Sequence, residues 1–209
     1  MTDAAPASPR PRRRRVGASA ARPVDERRAW RGSIGQPPTA PNDPTAAPPR
    51  IRPYAAADWP AVWAIFREVV AAGETYAYDP NWSAAEARAV WVERPPGATV
   101  VACLDGRVVG TAKMGPNRPG PGSHVATASF MVAGAARGRG VGRALGEHAL
   151  AWARGQGYAA MQFNAVVETN HAAVRLWRAL GFRIVGTVPE AFQHPTRGHV
   201  GLHVMHRFL

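Results

Sequence analysis

The segment 135–150, AARGRGVGRALGEHAL, constrains the fold of this chain more than any other. It places three glycines and three arginines within seven residues, directly before an amphipathic run. Glycine costs a helix about 1 kcal/mol relative to alanine, and arginines this close together repel one another. A bound anion is the obvious group to compensate for both costs. The segment therefore predicts a strand, a tight turn and a helix N-terminus arranged around an anionic group.

Seven residues, here called the cradle, form the tight part of this segment. They are Arg137, Gly138, Arg139, Gly140, Val141, Gly142 and Arg143. Glycine lets the backbone fold tightly because no Cβ is in the way, so the amides can point to one centre. The following helix adds its N-terminal partial positive charge, and the arginines add full charges. We interpret the cradle as a diphosphate site; the loop alone leaves open a flexible basic loop before a helix.

Two common phosphate-binding loops fit the cradle poorly. The dinucleotide fingerprint needs its first glycine directly after a strand, whereas the strand before the cradle is predicted to end near Val132. It also needs Gly or Ala at the place of Arg143. The nucleotide-triphosphate loop needs Gly-Lys followed by Ser or Thr, and Lys113 is the only lysine in the chain. Another type of loop is therefore required.

The composition favours an anionic partner in a reducing compartment. The formal net charge is +12, which fits nucleic acid, acidic lipid or a phosphorylated cofactor. The single cysteine, Cys103, excludes an internal disulfide, and its apolar neighbours favour a small buried side chain over a nucleophile. No apolar run approaches the roughly 18 residues that span a bilayer. Because no secretory signal is recognisable near Met1 either, we expect a cytoplasmic protein without a membrane partner.

Residues 1–50 differ in texture from residues 51–209. They hold ten prolines, ten arginines against four acids, and almost no aliphatic residue larger than alanine. Such a segment buries too little surface to offset its ordering entropy, so we predict a disordered tail followed by one domain. Its RPRRRR run permits nucleic-acid or membrane-surface binding. We favour a solvated tail, because base-reading and stacking residues are missing, and expect no nucleic-acid partner.

The segment after the tail mixes helical and strand patterns. Its order is strand, two helices, three strands, helix, strand, helix and two strands. This order predicts an α+β fold, with a mixed central sheet flanked by helices. Asp58 is placed to cap the first helix, and Ser83 and Glu86 have capping-box spacing before the second. Asp105-Gly106 predicts a hairpin between the second and third strands.

Two motifs resemble those of the GNAT superfamily, the acetyl-CoA-dependent N-acetyltransferases. Arg137-x-x-Gly140-x-Gly142 is similar to the family motif [QR]-x-x-G-x-[GA]. NHAAVRLWRALGF, residues 170–182, is similar to N-x-x-A-x-x-L-Y-x-x-x-G-F and lies downstream in the proper order. The resemblance covers the whole predicted domain. It implies the GNAT fold, transfer of an acetyl group to an amine, and acetyl-CoA as co-substrate without a metal.

The resemblance also implies roles for particular residues. The cradle amides would hold the CoA pyrophosphate. Phe130, Met131 and Val132, on the preceding strand, would hydrogen-bond the pantetheine arm as an added strand does, and one of their amides would polarise the thioester carbonyl. Asn170 would touch the pantetheine. The strands that carry Val132 and Asn164 would splay apart and leave a slot for the cofactor.

Trp177 departs from the family pattern, which often has tyrosine at that place as the acid for the departing thiolate. Tryptophan donates a hydrogen bond but cannot supply a proton. An aliphatic thiol has a pKa near 8.5, so the thiolate leaves without full protonation. Trp177 therefore either lines the CoA slot or packs on the sheet as an ordinary helix residue.

Acetyl transfer to an amine requires a base, because only the unprotonated amine attacks. Glu168 and Asn164 are the candidate catalytic residues. Glu168 follows a strand and precedes Asn170 by two positions, although a capping or solvated glutamate fits equally well. His124 is a weaker candidate base. Several histidines lie near the C-terminus, but no Cys or acid cluster joins them, so we expect no metal.

The candidate acceptor residues are Tyr76, Tyr78, Thr127 and Asn164. Asn164 lies in an apolar strand, where a buried amide needs partners, and Thr127 lies on the adjacent strand. Tyr76 and Tyr78 alternate in GETYAYDPNW, residues 73–82, between the first two helices. Two tyrosines in a loop indicate a small polar ligand, although ordinary packing explains them too.

Three segments, TASFMV, NAVVETN and GETYAYD, resemble the subgroup that acetylates proline analogues such as azetidine-2-carboxylate. That resemblance implies a small amino acid or analogue as acceptor, attacked directly in a ternary complex. Acetylation of a protein N-terminus or lysine is the first alternative. A CoA- or nucleic-acid-binding module without turnover is the second, and a homodimer is left open.

Overall fold

The structure, a computed structural model, describes residues 47–209. These residues form seven strands and four longer helices in the predicted order. The strands are β1 (Arg50–Pro53), β2 (Ala98–Leu104), β3 (Arg107–Pro116), β4 (Val125–Val132), β5 (Ala160–Val167), β6 (Arg183–His194) and β7 (Gly198–Phe208). The helices are α1 (Trp59–Ala71), α2 (Ala84–Trp91), α3 (Val141–Gly155) and α4 (His171–Ala179).

The seven strands form one mixed sheet in the order β1-β2-β3-β4-β5-β7-β6. All neighbouring strands pair antiparallel except β4 and β5, which run parallel. β2 and β3 are joined by Asp105-Gly106, whose φ angles of 50° and 74° are those of a two-residue hairpin turn. The predicted hairpin and the predicted α+β fold are confirmed.

Helices cover both faces of the sheet, and each face has its own hydrophobic cluster. On one face, α3 and α4 pack against β2–β5, and α3 contributes a buried stripe of Val141, Leu145 and Ala149. On the other face, α1 and α2 bury Phe66 and Trp91 with Met131 of β4. Successive strand residues point to opposite faces, so β4 supplies side chains to both clusters.

The polar ends of α1 and α2 show one confirmed and one wrong prediction. Ser83 and Glu86 form the predicted capping box before α2. Asp58 does not cap α1. Its carboxylate instead accepts two bonds of 2.7 Å from the Arg52 guanidinium and one of 2.8 Å from the Ala55 amide. The hydrogen bonds from Arg52 hold the pKa of Asp58 below its usual value.

Residues 1–46 lie outside the described residues, so the predicted tail stays a prediction. At its boundary, Arg50 already belongs to β1. Cys103 is half-buried, whereas the sequence predicts a buried side chain. Within residues 47–209, no helix is both long and apolar enough to cross a membrane.

Candidate active site

β4 is paired over its whole length on one edge and over two residues on the other. Its pairs with β3 run without a break from Pro116↔Ala126 to Gly110↔Val132. Its pairs with β5 are only Val125↔Ala160 and Ala126↔Met161. β5 also has a register shift against β7 between Phe163 and Val166. The space between β4 residues 127–132 and β5 residues 163–167 is called the opening, and it is the splay that the resemblance implied.

Three aromatic rings pack together across the opening on the α3–α4 face. The ring centroid of Trp177 lies 4.7 Å from that of Phe130 on β4 and 4.9 Å from that of Phe163 on β5. Trp177 is 7% exposed. The Trp177 side chain is therefore packed on the sheet, and it also borders the opening.

The cradle follows β4 as a tight turn. Gly138 and Gly140 have φ of 78° and 75°, the left-handed conformation that disfavours residues with a Cβ. Gly140 is the N-cap residue of α3. A Cβ built on either glycine meets no atom within 4 Å, so open space lies in front of both.

Five of the seven cradle amides are available for a ligand. The other two donate locally, Arg137 N–H to the Gly134 carbonyl and Arg139 N–H to the Ala136 carbonyl. The first helical bond of α3 joins Ala144 N–H to the Gly140 carbonyl, and a helix offers no internal acceptor to its earlier amides. The remaining amides belong to Gly138, Gly140, Val141, Gly142 and Arg143. The expectation that every amide from 137 to 143 holds the pyrophosphate is thus too broad.

Gly142 has a different reason for being glycine than the tight turn predicted from the sequence. It lies inside α3, and a Cβ on it would come 3.3 Å from Cδ2 of Leu176 on α4. Its small size therefore lets the two helices approach each other. Arg139 and Arg143 make long contacts of 3.4 Å to Asp105 and 3.5 Å to Glu147 at the surface, and such exposed ion pairs hold a side chain weakly.

Tyr76 and Tyr78 lie between α1 and α2 and belong to the aromatic cluster of that face. Their rings stack with centroids 5.4 Å apart, and Tyr78 lies 5.4 Å from Phe66. This is the ordinary packing that the sequence left open. The Tyr76 hydroxyl also reaches β4, where it donates to the Phe130 carbonyl at 2.8 Å and accepts from the Phe130 N–H at 2.9 Å.

Asn164 is exposed, which corrects the expectation of a buried amide. It lies where β5 leaves its regular register against β7. Its Nδ2 donates to Oδ1 of Asn117 at 2.6 Å, and its Oδ1 accepts from Nε2 of Gln162 at 2.8 Å. Thr127 of β4 is half-buried beside the opening. Asn117 and Gln162 were not predicted as site residues, although Asn117 directly follows β3 in the loop segment PNRPGPGS, residues 116–123.

Glu168 and Asn170 are both engaged with backbone groups beyond β5. The Glu168 carboxylate accepts from Gly201 N–H of β7 at 2.6 Å, which is a third possibility besides the two alternatives above. Asn170 is the N-cap of α4, and its Oδ1 accepts from Ala173 N–H at 3.1 Å. His124 precedes β4, with its Nδ1 3.0 Å from the Pro121 carbonyl oxygen. Among residues 47–209, no three His, Cys, Asp or Glu side chains are grouped as metal ligands.

The model of the acetyltransferase (GNAT) family matches residues 54–182. This chain belongs to the GNAT family. Among solved structures, a GCN5-related N-acetyltransferase from Kribbella flavida is 61% identical, with a TM-score of 0.75, over 77% of this chain and 98% of that one. The enzyme therefore shares both its fold and most of its domain sequence with an N-acetyltransferase of known structure.

Two further structures are similar to this GNAT enzyme. A ribosomal-protein-alanine N-acetyltransferase from Brucella melitensis is 32% identical, with a TM-score of 0.69, over 77% of this chain and 99% of that one. A phosphinothricin acetyltransferase from Sinorhizobium meliloti, solved with acetyl-CoA, is 25% identical, with a TM-score of 0.71, over 78% of this chain and 89% of that one. The curated relatives that it matches at 34% identity are longer, and the alignments span 44% and 13% of their lengths.

These findings make the protein an acetyl-CoA-dependent acetyltransferase of the GNAT type. The second alternative from the sequence, a CoA- or nucleic-acid-binding module without turnover, is therefore set aside. The predicted membership of the azetidine-2-carboxylate subgroup is not confirmed. The roles of individual residues stay predictions.

Proposed function

We propose that this GNAT enzyme acetylates the amine of a small molecule, an amino acid or an analogue, by direct attack in a ternary complex. One observation carries the proposal: two loops contact the two strands that border the opening. The α1–α2 loop reaches it through Tyr76 and Phe130, and the PNRPGPGS loop through Asn117 and Asn164. Loops that close on a site leave room for a small acceptor and exclude water from it.

Acetyl-CoA fits the groups around the opening. It supplies an acetyl group activated as a thioester. In the proposal, the five available cradle amides and the cradle arginines bind the diphosphate. The β4 edge at Phe130, Met131 and Val132 binds the pantetheine arm, helped by the Asn170 amide, and Trp177 borders the arm. Open space in front of Gly138 and Gly140 supports this placement.

The acceptor side consists of short polar side chains. We assign Asn164, with Asn117 beside it, to the carboxylate or amine of the acceptor, and place Thr127, Tyr76 and Tyr78 around it. Amide and hydroxyl groups suit a small zwitterion because they both donate and accept hydrogen bonds. They fix its orientation without a buried charge.

The attacking amine must lose a proton, and Glu168 is the proposed base. Its carboxylate uses one oxygen, Oε1, for the Gly201 amide. The other oxygen is the one that takes the proton, either directly or through water. A water chain without Glu168 is the alternative, and a Glu168→Gln variant with an unchanged pH profile would favour it.

Acetylation of a protein is the second candidate, since one similar structure is a ribosomal-protein-alanine N-acetyltransferase. A peptide acceptor needs an open groove along the sheet. The contacts of Tyr76 with β4 and of Asn117 with β5, both at the borders of the opening, argue against such a groove. The two candidates are separated by offering both kinds of acceptor to the same enzyme.

The test is a thiol-release screen with acetyl-CoA, in which free amino acids and their analogues compete with peptides that begin with alanine. We expect release with one or more free amino acids and none with the peptides. In the Asn164→Ala variant, KM for the acceptor should rise about tenfold or more, as expected for a lost bond to a charged group, with KM for acetyl-CoA unchanged. Gln193→Ala, an exposed amide on β6, is the matched control. Turnover of the peptides alone would contradict the proposal.

A further inference from the structure

One oxygen atom of Tyr76 holds both backbone polar groups of Phe130. The hydroxyl accepts from the N–H at 2.9 Å and donates to the carbonyl at 2.8 Å. Phe130 lies opposite Ala112 in the β3–β4 pairing. Bonded and non-bonded pairs alternate along antiparallel strands, so the groups of Phe130 face away from β3. They face the side that β5 leaves after Ala126↔Met161.

The hydroxyl therefore occupies the position where a neighbouring strand would otherwise pair with β4. It is also the position at which an extended ligand adds to that edge. A ligand oxygen that accepts from Phe130 N–H must take the place of the phenol oxygen. The displaced hydroxyl then lies one hydrogen-bond length away, with its proton free for a new acceptor.

The neighbours of the Tyr76 ring limit how far its hydroxyl can move. It stacks on Tyr78 with centroids 5.4 Å apart and meets Trp91 edge-on at 6.1 Å. Burial raises the pKa of the hydroxyl above its usual value, and the hydrogen bonds to Phe130 and Ser129 offset only part of this rise. The group therefore keeps its proton at neutral pH and acts as a hydrogen-bond donor.

We propose that Tyr76 is a catalytic residue that, together with Phe130 N–H, binds the carbonyl oxygen of the thioester. This inference rests on the proposed function and gives the Tyr76 hydroxyl the thioester, and not the acceptor, as its ligand. As the amine nitrogen bonds to the carbonyl carbon, the π electron pair moves to the oxygen, and both donors stabilise its charge. The pair returns to the carbonyl when the C–S bond breaks, and the charge leaves with the thiolate.

No proton leaves Tyr76 during these reaction steps. The base takes the amine proton, and solvent protonates the thiolate, whose pKa near 8.5 makes it a fair leaving group. Trp177 lies on the α3–α4 face of the opening, whereas Tyr76 comes from the α1–α2 loop. A phenol thus acts on the reacting group from the face opposite to the one where the family often has its tyrosine.

The experiment compares the full-length Tyr76→Phe variant with wild type. The carbonyl stretch of bound acetyl-CoA, labelled with ¹³C at the acetyl carbonyl, is measured by infrared difference spectroscopy without acceptor. Loss of one donor should move this band to higher frequency in the variant. kcat should fall about 100-fold, as when one oxyanion donor is removed, while the Kd for unacetylated CoA stays within about threefold.

Tyr54→Phe is the matched control. Tyr54 packs against the same aromatic cluster, and its buried hydroxyl has no hydrogen-bond partner among the described residues. This variant should change neither the band nor kcat. If the Tyr76→Phe variant does not fold, the wild-type spectrum alone is the test. Two donors should hold the carbonyl band of bound acetyl-CoA below its frequency in water.

Three results overturn the inference. They are an unmoved band with unchanged kcat in Tyr76→Phe, the same losses in Tyr54→Phe, and a wild-type band at or above the frequency in water. If wild type turns over acetyl-CoA and any of these is found, only the role of Tyr76 fails. If wild type does not bind acetyl-CoA, the proposed function fails together with it.

Discussion

The two edges of β4 are built differently. Against β3, the β4 backbone groups that face that strand are hydrogen-bonded in an unbroken ladder, whose last pair is Gly110↔Val132. Against β5, pairing stops after Ala126↔Met161, and side chains take over. Buried backbone groups need partners, and at Phe130 the Tyr76 hydroxyl supplies both. A slot in a sheet therefore requires side chains to replace the missing strand, and those side chains become candidates for chemistry.

Side-chain volume also fills the open edge. Trp177 packs against Phe130 and Phe163, whose own rings lie 5.7 Å apart and belong to the two strands that diverge. Gly146 makes room for it, since a Cβ there would lie 3.0 Å from Cζ3 of Trp177. The closed edge, against β3, is held by backbone pairing. Removing side-chain volume should therefore destabilise the two edges unequally.

Trp177→Ala should have the largest effect on stability. Truncating a buried aromatic side chain costs about 3–5 kcal/mol, because transfer energy is lost and a cavity remains. We expect that loss in the free energy of unfolding, measured by urea denaturation. Trp152→Ala is the control, since Trp152 is half-buried and its ring lies 5.4 Å from that of Tyr158. Equal losses in the two variants would show that the packing of Trp177 against Phe130 and Phe163 adds no particular stability.

Gly140→Asp should abolish acetyl-CoA binding at the mouth of the open edge. The backbone there is left-handed, and the new carboxylate would compete with a diphosphate for the amides that begin α3. We expect affinity to fall at least about 100-fold, which is roughly 2.7 kcal/mol, as measured by calorimetry.

Gly157→Asp separates that effect from backbone strain. Gly157 has φ of 79° and open space at its Cβ, as Gly140 does, but it lies after α3. Both variants should lose similar stability, and only Gly140→Asp should lose affinity. Retained binding in Gly140→Asp would show that the cradle does not hold the diphosphate.

Most of the fold follows from the sequence because periodicity and turn chemistry are local. Asp105-Gly106 and the Ser83–Glu86 box act within a few residues, and both are found as predicted. Asp58 shows the limit of this reasoning. A residue before a helix is a natural cap, but here Arg52, six positions away, offers a charged partner that no helix rule includes.

The candidate site was predicted less completely, because its contacts join distant parts of the chain. Tyr76 and Phe130 are 54 residues apart, and Asn117 and Asn164 are 47 apart. Asn164 was expected to be buried because its neighbours are apolar. The register shift in β5 exposes it instead, and a shift of this kind has no signature in a single sequence. The cradle glycines were located by motif, but only the helix contact explains Gly142.

The closed edge gives the smallest expected effect. Gly110 of β3 lies under the start of α3, and a Cβ on it would come 2.8 Å from Cγ1 of Val141 and 3.2 Å from the Met131 carbonyl oxygen. The carbonyl belongs to the β3–β4 ladder and cannot move freely, so Gly110→Ala should cost about 1–3 kcal/mol through overpacking. Gly115→Ala on the same strand meets only an ordinary 3.5 Å contact and should be neutral or slightly stabilising. If urea denaturation shows the two variants to be equally stable, the closed edge tolerates added volume, and the difference between the two edges of β4 is one of hydrogen bonding alone.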